Sequence, residues 1–292
     1  MHPERELRTQ DLADLAAREL WEALYRRLML DEFPYEARMG WQLAFLRPFA
    51  VPRMAATLVD SGQLIHQTRK RAYDTGLVIY ELVHGGIESP RGRKMIALMN
   101  RAHHGHAIVQ EDLTYVLCAF IVTPIRHIEL VGWRPVTQAE KKSAVKFFGR
   151  MGQLMNIETI PPTYAEAERL YDDYEAAHVA PSEAGRTLGA NLIRVLKAMQ
   201  PLVARPLATP VFALLLNDPA IARAIGITPP PPPISRLARL IMNARAAVIS
   251  EMKPNNEPIF VPGMVIDDVY PHGYDLDDLG PPTKQSSTTP DS

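Results

Sequence analysis

Leu12-Ala-Asp-Leu15-Ala16-Ala-Arg-Glu-Leu20-Trp-Glu-Ala23-Leu24-Tyr-Arg-Arg-Leu28 decides the fold class. Its apolar residues recur at three- and four-residue steps with charged residues between them, the period of a helix with one buried face. The same grammar continues outward. Ser89-Pro90 supplies an N-cap and a first-turn proline for a helix running through His103. Thr137 with Glu140 and Thr163 with Glu166 read as capping boxes. Thr209-Pro210, Asp218-Pro219 and Ser235 read as further helix starts. Alternation of period two over six or more residues is absent, so strands contribute little.

The expectation is an all-α protein of about nine to twelve helices with no internal repeat. Tyr115 to Pro124, the greasiest stretch, is too short to span a bilayer and reads as a buried helix. Pro229 to Pro233 reads as a stiff spacer before a helix near Ser235. After Lys253 the pattern becomes irregular, and a Pro/Ser/Thr-rich tail over 281–292 is expected to be disordered. One helical body over 1–280 with a wrapping C-terminal arm is the simplest organisation.

The chain has 292 residues, 32 cations, 33 carboxylates and one cysteine. That length supports a sizeable core. Near-zero net charge, with both signs interspersed, argues against a nucleic-acid partner. One cysteine excludes an internal disulfide and a cysteine-based zinc site. No signal peptide and no long uncharged apolar run are visible, so the expected location is the cytoplasm, at most peripheral to a membrane.

Several residues could carry chemistry. Arg71 and Thr75, spaced i, i+4, share one helix face. If that face looks into an apolar pocket, the arginine needs an anionic partner; otherwise the face is solvated and Thr75 bonds back to its own helix. The next helix carries Asn100, His103, His104 and His106. His103 lies on the Ile96/Met99 side, the apolar one, whereas His104 is turned about 100° away. A neutral imidazole there could ligate iron, or the histidines could bind another metal, or they could form a polar helix end. Cys118, in an apolar run, reads as a small core residue. Glu81, Glu111 and Asp112 are possible acid/base groups, but their spacing singles out no pair. Phosphate loops, G-x-S-x-G elbows and H-E-x-x-H helices are absent.

The order of motifs adds a family. Arg71-x-x-Asp74-Thr75 is followed by Gly92-Arg-Lys-x-Ile96, Met99-Asn100-x-x-His103, Glu111-Asp-Leu-Thr-Tyr115, Thr123-Pro-Ile-Arg126 and Gly132-Trp-Arg-Pro135. Gly152-x-x-Met155-Asn-Ile157, Ile160-Pro161, Tyr174-Glu175, Tyr270-Pro-x-Gly-Tyr274 and Leu279-Gly-Pro281 complete it. From about residue 41 to 281 this resembles the family that joins the ER-bound oxygenase of mycophenolic acid biosynthesis to the bacterial rubber oxygenases (latex clearing protein). The resemblance implies a globin-like helical core holding haem b. It places the proximal histidine on His103 and the distal arginine and threonine on Arg71 and Thr75. It also implies dioxygen chemistry on the double bonds of apolar, isoprenoid-like small molecules. Asn100 and Arg126 are carried along as cofactor contacts, although Arg126, Trp133 and Arg134 serve equally well to lock the core. The rubber-cleaving branch has lysine where this chain has Asp74, which argues against polyisoprene as substrate. Two other readings stay open: a helical carrier or sensor that binds haem or lipid without turnover, and an enzyme with a non-haem metal at the histidine cluster.

Overall fold

The amphipathic run from Leu12 to Leu28 is interrupted. The computed structural model describes residues 2–104, 108–252, 254 and 257–280. In it the run splits into α1 (Pro3–Ala17) and α2 (Trp21–Arg26), with a π-helical turn continuing over Arg27–Glu32. Glu19 takes a left-handed φ of 54°, and Leu20 stays 41% exposed in the junction. The break re-aims α2 so that Leu24, Tyr25, Leu28 and Met29 are all buried, with Tyr25 set 4.8 Å from the Phe147 ring. Burying those side chains outweighs the ~1–2 kcal/mol that a left-handed non-glycine residue costs.

The remaining helices are α3 (Pro34–Leu46), α4 (Pro52–Asp60), α5 (Gln63–His66), α6 (Thr68–Gly85), α7 (Pro90–His103) and α8 (Gln110–Val131). They continue with α9 (Gln138–Leu154), α10 (Tyr164–His178), α11 (Glu183–Ala198), α12 (Arg205–Leu216), α13 (Pro219–Ala224) and α14 (Pro232–Glu251). Fourteen α-helices among the described residues exceed the expected nine to twelve, and the surplus lies in short pieces such as α2, α5 and α13. The fold is all-α; among the described residues β-pairing is limited to isolated bridges, Ile266 with Tyr270 and Pro271 with Gly273.

Most start signals hold. Ser89 accepts from the Gly92 N–H, Thr137 and Glu140 form a reciprocal box, and Asp218 accepts from Ala220 and Ile221. Thr163 caps Glu166, but the Glu166 carboxylate turns to Arg169 instead of completing a box. Two starts move. Pro210 lies inside α12, which begins at Arg205-Pro206, and α14 begins at Pro232, so the last two prolines of the spacer form its first turn. Proline suits a first turn because its missing N–H has no partner there in any case. The tail over 281–292 lies outside the described residues.

α8 is the axis of the body, crossed by α3 and flanked by α9 and α10. It is long and apolar enough to cross a membrane, yet 78% of its apolar window is buried inside the protein, as a core helix requires. Gly40 makes the α3–α8 crossing possible: a Cβ there would stand 2.5 Å from the Pro124 Cα. Cys118 is fully buried beside this crossing, and burial pushes its thiol up to about 12. His127 is also buried on α8, and desolvation holds it neutral, down to about 4.

Motifs downstream of the hairpin turn out to be cement. Asp112 takes hydrogen bonds from Arg53 and from the Tyr174 hydroxyl, joining α4, α8 and α10. The Tyr115 hydroxyl donates to Glu175 at 2.8 Å, and Arg47 reaches both Glu175 and Asp218. Asp112 and Glu111, offered above as acid/base groups, are thus tied into packing: Glu111 faces Arg53 and His178.

Candidate functional site: the α6–α7 hairpin

α6 and α7 run antiparallel, joined by a short turn at Gly86–Ser89. Arg91 binds Glu81 through two hydrogen bonds of 2.8 and 2.6 Å, which sets their register. Gly280 confirms it further along: its N–H donates to Asp74, while its Cα rests against Leu98 so closely that a Cβ would fall 2.8 Å from Leu98 Cδ1. Counted from these two points, Arg71 and Thr75 stand level with the last turns of α7, where Asn100 and His103 lie.

One side of α6 is closed. Asp74 and Glu81, i and i+7 on one face, are 1% and 0% exposed. Tyr270 donates to Asp74 at 2.6 Å and Tyr274 donates to Glu81 at 2.6 Å, so two tyrosines of the C-terminal arm hook two carboxylates of the helix. Lys70 and Arg71 add cations to Asp74, at 2.9 and 3.4 Å. Burial pushes the Glu81 carboxyl up, but hydrogen bonds from Arg91 and Tyr274 outweigh it and hold the group below its ordinary value. Burial first, then the neighbouring carboxylates, push both tyrosine hydroxyls up, so they act as donors at neutral pH. The sequence motif Tyr270-Pro-x-Gly-Tyr274 carried no role on its own; here it is the clamp. Asp74, the departure noted above, faces the arm and is neutralised there.

The other side is open. At about 100° per residue, Thr75 lies between Arg71 and Ala72 around the helix and Gly76 lies beyond Ala72, while Arg71 stays within about 60° of its i+3 partner Asp74. Nothing comes within 4 Å of a Cβ built on Gly76, so the middle of α6 is bare there, beyond Ala72 and Thr75. A mid-helix glycine costs ~1 kcal/mol relative to alanine, and close approach of another group to the backbone is one use for it. The Arg71 side chain is 21% exposed and engages Asp74 through Nη1 alone. Thr75 donates to the Arg71 carbonyl at 3.0 Å, the self-bonded arrangement held open above.

His103 is the last residue of α7 and is exposed, not on an apolar face as its spacing suggested. The buried stripe of α7, Gly92, Met95 and Ile96, stops two turns earlier, and Met99 is only half-buried. The ring is nevertheless fixed: Nδ1 lies 2.7 Å from the Met99 carbonyl, four residues back. An N–H donor at Nδ1 makes Nε2 the basic nitrogen, pointing away from the helix. His104 is exposed at the C-cap, and His106 lies outside the described residues. Among the described residues no three His, Cys, Asp or Glu side chains converge as a metal set.

The two remaining candidates are occupied within the protein. The Asn100 amide donates to the Leu154 carbonyl at 3.1 Å, tying α7 to the end of α9. All three nitrogens of Arg126 bind Glu168 and Asp172 on α10, and its guanidinium lies over Tyr171. Arg134 likewise binds Glu140 and stacks against Trp133. These residues lock helices together. Two clefts on the surface lie elsewhere: one, about 340 Å³, is lined by charged residues such as Asp11, Arg18 and Arg27, and the other, about 250 Å³, by His84 and Phe260 among others.

The donor types a haem needs are present near the end of the hairpin: a basic Nε2 on His103 oriented by a carbonyl, a half-buried cation on Arg71 and a hydroxyl on Thr75. Comparison with known proteins gives the family. The chain is 25% identical over 241 residues to an ER-bound oxygenase mpaB′ of Penicillium brevicompactum, covering 76% of this chain and 57% of that protein. It is 25% identical over 205 residues to an ER-bound oxygenase mpaB of Penicillium roqueforti, covering 64% of this chain and 69% of the other. It therefore spans only a little over half of the first of these relatives. The structure aligns with latex clearing protein in its closed state at a TM-score of 0.53 and 17% identity, over 76% of this chain and 66% of that one, which shows a shared fold. The family model for the catalytic domain of ER-bound oxygenase mpaB/B′ and rubber oxygenase matches residues 26–248, starting before the stretch marked out by the motifs and stopping short of the arm. The chain belongs to the catalytic-domain family of the mpaB/B′ ER-bound oxygenases and rubber oxygenase.

Proposed function

We propose that this chain is a haem b-dependent oxygenase that uses dioxygen on an apolar, unsaturated, isoprenoid-like small molecule, with cleavage of a carbon–carbon double bond as the reaction. The observation that carries the reading is the His103 ring, held through Nδ1 by the Met99 carbonyl so that Nε2 is left as the basic nitrogen. When bound, haem would supply the activation of dioxygen. His103 would hold it through Nε2. Arg71 would keep Nε and Nη2 available as donors while Asp74 restrains Nη1, so that the cation is oriented before substrate arrives. Thr75 would exchange its bond to the Arg71 carbonyl for one to the oxidant. Ala72 and Gly76 would leave room for a flat apolar group against the helix and keep water from the reacting carbons. Asn100 and Arg126 are given no cofactor contact in this reading, because their donors are already used.

The test is an absorption spectrum of the purified protein, oxidised and reduced, after expression with ample haem. A Soret band that His103→Ala abolishes while circular dichroism stays helical is the expected outcome. A colourless, folded protein removes the proposal. A haem-loaded protein that consumes no dioxygen with any isoprenoid supports the carrier reading instead.

A further inference from the structure

α14 carries its apolar face on the outside. Ile234, Leu237, Leu240, Ile241 and Val248 are 49–65% exposed, although each is a large aliphatic residue on a twenty-residue helix. The side turned to the protein is the modest one: Ser235, Ala238, Met242 and Ile249 are only half-buried, and no residue of the helix is fully buried. At 100° per residue the outward apolar arc runs from Leu240 to Ile234 and is about 120° wide. Arg236 borders it on one edge and Arg245 on the other. Arg245 pairs with Glu36, whereas Arg236 and Arg239 bind no described carboxylate.

The sequence leading into and through this helix departs from the interspersed pattern expected above. Residues 184–250 hold eight cations (Arg186, Arg194, Lys197, Arg205, Arg223, Arg236, Arg239, Arg245) and a single carboxylate, Asp218, in a chain whose net charge is −1. Asp218 is itself bound to Arg47. An aliphatic arc this wide, with an arginine at each edge, is the composition of a helix lying flat in a lipid–water interface. A second copy of α14 is the poorer occupant: it would bring arginine against arginine, and the sole acid of the helix is Glu251 at its last residue.

We propose that the outward face of α14 docks this protein on the surface of an anionic lipid bilayer, with the aliphatic arc in the acyl boundary and the arginines at its edges, Arg236 above all, among the headgroups. The inference stands apart from the haem reading and needs no cofactor. It is tested by sedimenting the full chain with vesicles of phosphatidylcholine alone or with roughly a third phosphatidylserine. Binding to the anionic vesicles, weakened by salt, is expected. Arg236→Gln should lower partitioning about 5-fold, and Leu237→Ser with Ile241→Ser about 10²-fold, with circular dichroism and Tm unchanged because these side chains are exposed. Equal binding to both vesicle types, or to neither, overturns the proposal. A dimer in light scattering that Leu237→Ser with Ile241→Ser dissolves, without vesicle binding, would overturn it in favour of a second copy.

Discussion

The two sides of α6 differ in what the rest of the chain does for them. On one, Asp74 and Glu81 are buried and every strong acceptor meets a tyrosine, a cation or a backbone N–H. On the other, a few residues away, Arg71, Thr75 and Gly76 meet almost nothing outside their own helix. The closed side shows what it takes to bury charge: each carboxylate needs at least two donors, one from α6 or α7 and one here from an arm nearly two hundred residues later. The open side shows donors left without such partners, next to an oriented imidazole. Stability is spent on one side, so that the other can stay available.

Mutations can break this contrast at either side. The largest effect is expected from Asp74→Ala, which leaves Lys70, Arg71 and Tyr270 without their shared acceptor. It should cost about 3 kcal/mol in urea unfolding and release the arm to proteolysis. A loss below about 1 kcal/mol would mean that the arm is not held there. Arg71→Ala removes the longer of the two cation contacts to Asp74 and should cost less than about 1 kcal/mol in unfolding, because Lys70 remains. It should keep the Soret band yet slow turnover about 10²-fold, worth ~2.7 kcal/mol in the barrier; undiminished turnover would return Arg71 to the surface. Tyr274→Phe removes one hydrogen bond to a charged group and should cost about 1.5–3 kcal/mol, with no change in absorbance.

Gly76→Leu separates the two sides most sharply. It should raise helix stability by up to ~1 kcal/mol while lowering haem retention, since the strip is filled; unchanged retention would show that the strip is not used. The smallest effect is in pH. Because the folded Glu81 carboxyl lies below the ordinary 4.5, its contribution is complete above that pH and is lost as pH falls through the folded value. Glu81→Gln should therefore flatten the acid limb of the stability curve below about pH 4.5 and leave the neutral region parallel to wild type.

How much of this was legible in the sequence depends on the range of the interaction concerned. Helix class, the Ser89, Thr137 and Asp218 caps, the irregular arm and the buried state of Tyr115–Pro124 all follow from neighbours within a turn or two. The break at Glu19 did not, because periodicity is blind to which face a helix must present to Phe147. His103 was placed on an apolar face by counting from Ile96, but the core ends before α7 does. Asn100 and Arg126 carried the right chemistry for a cofactor; only their distant partners, Leu154 and the α10 carboxylates, show that their donors are taken.

The sequence by itself determined that the chain is helical, where most helices start, and which family's order of motifs it carries, since these rest on local propensity and spacing. Only the tertiary structure decided that Asp74 and Glu81 serve the arm, that α6 is left uncovered at Gly76, and that α14 turns its aliphatic side outward. The physical reason is that burial and hydrogen-bond satisfaction are properties of a side chain's surroundings in space, and residues from opposite ends of the chain supply them.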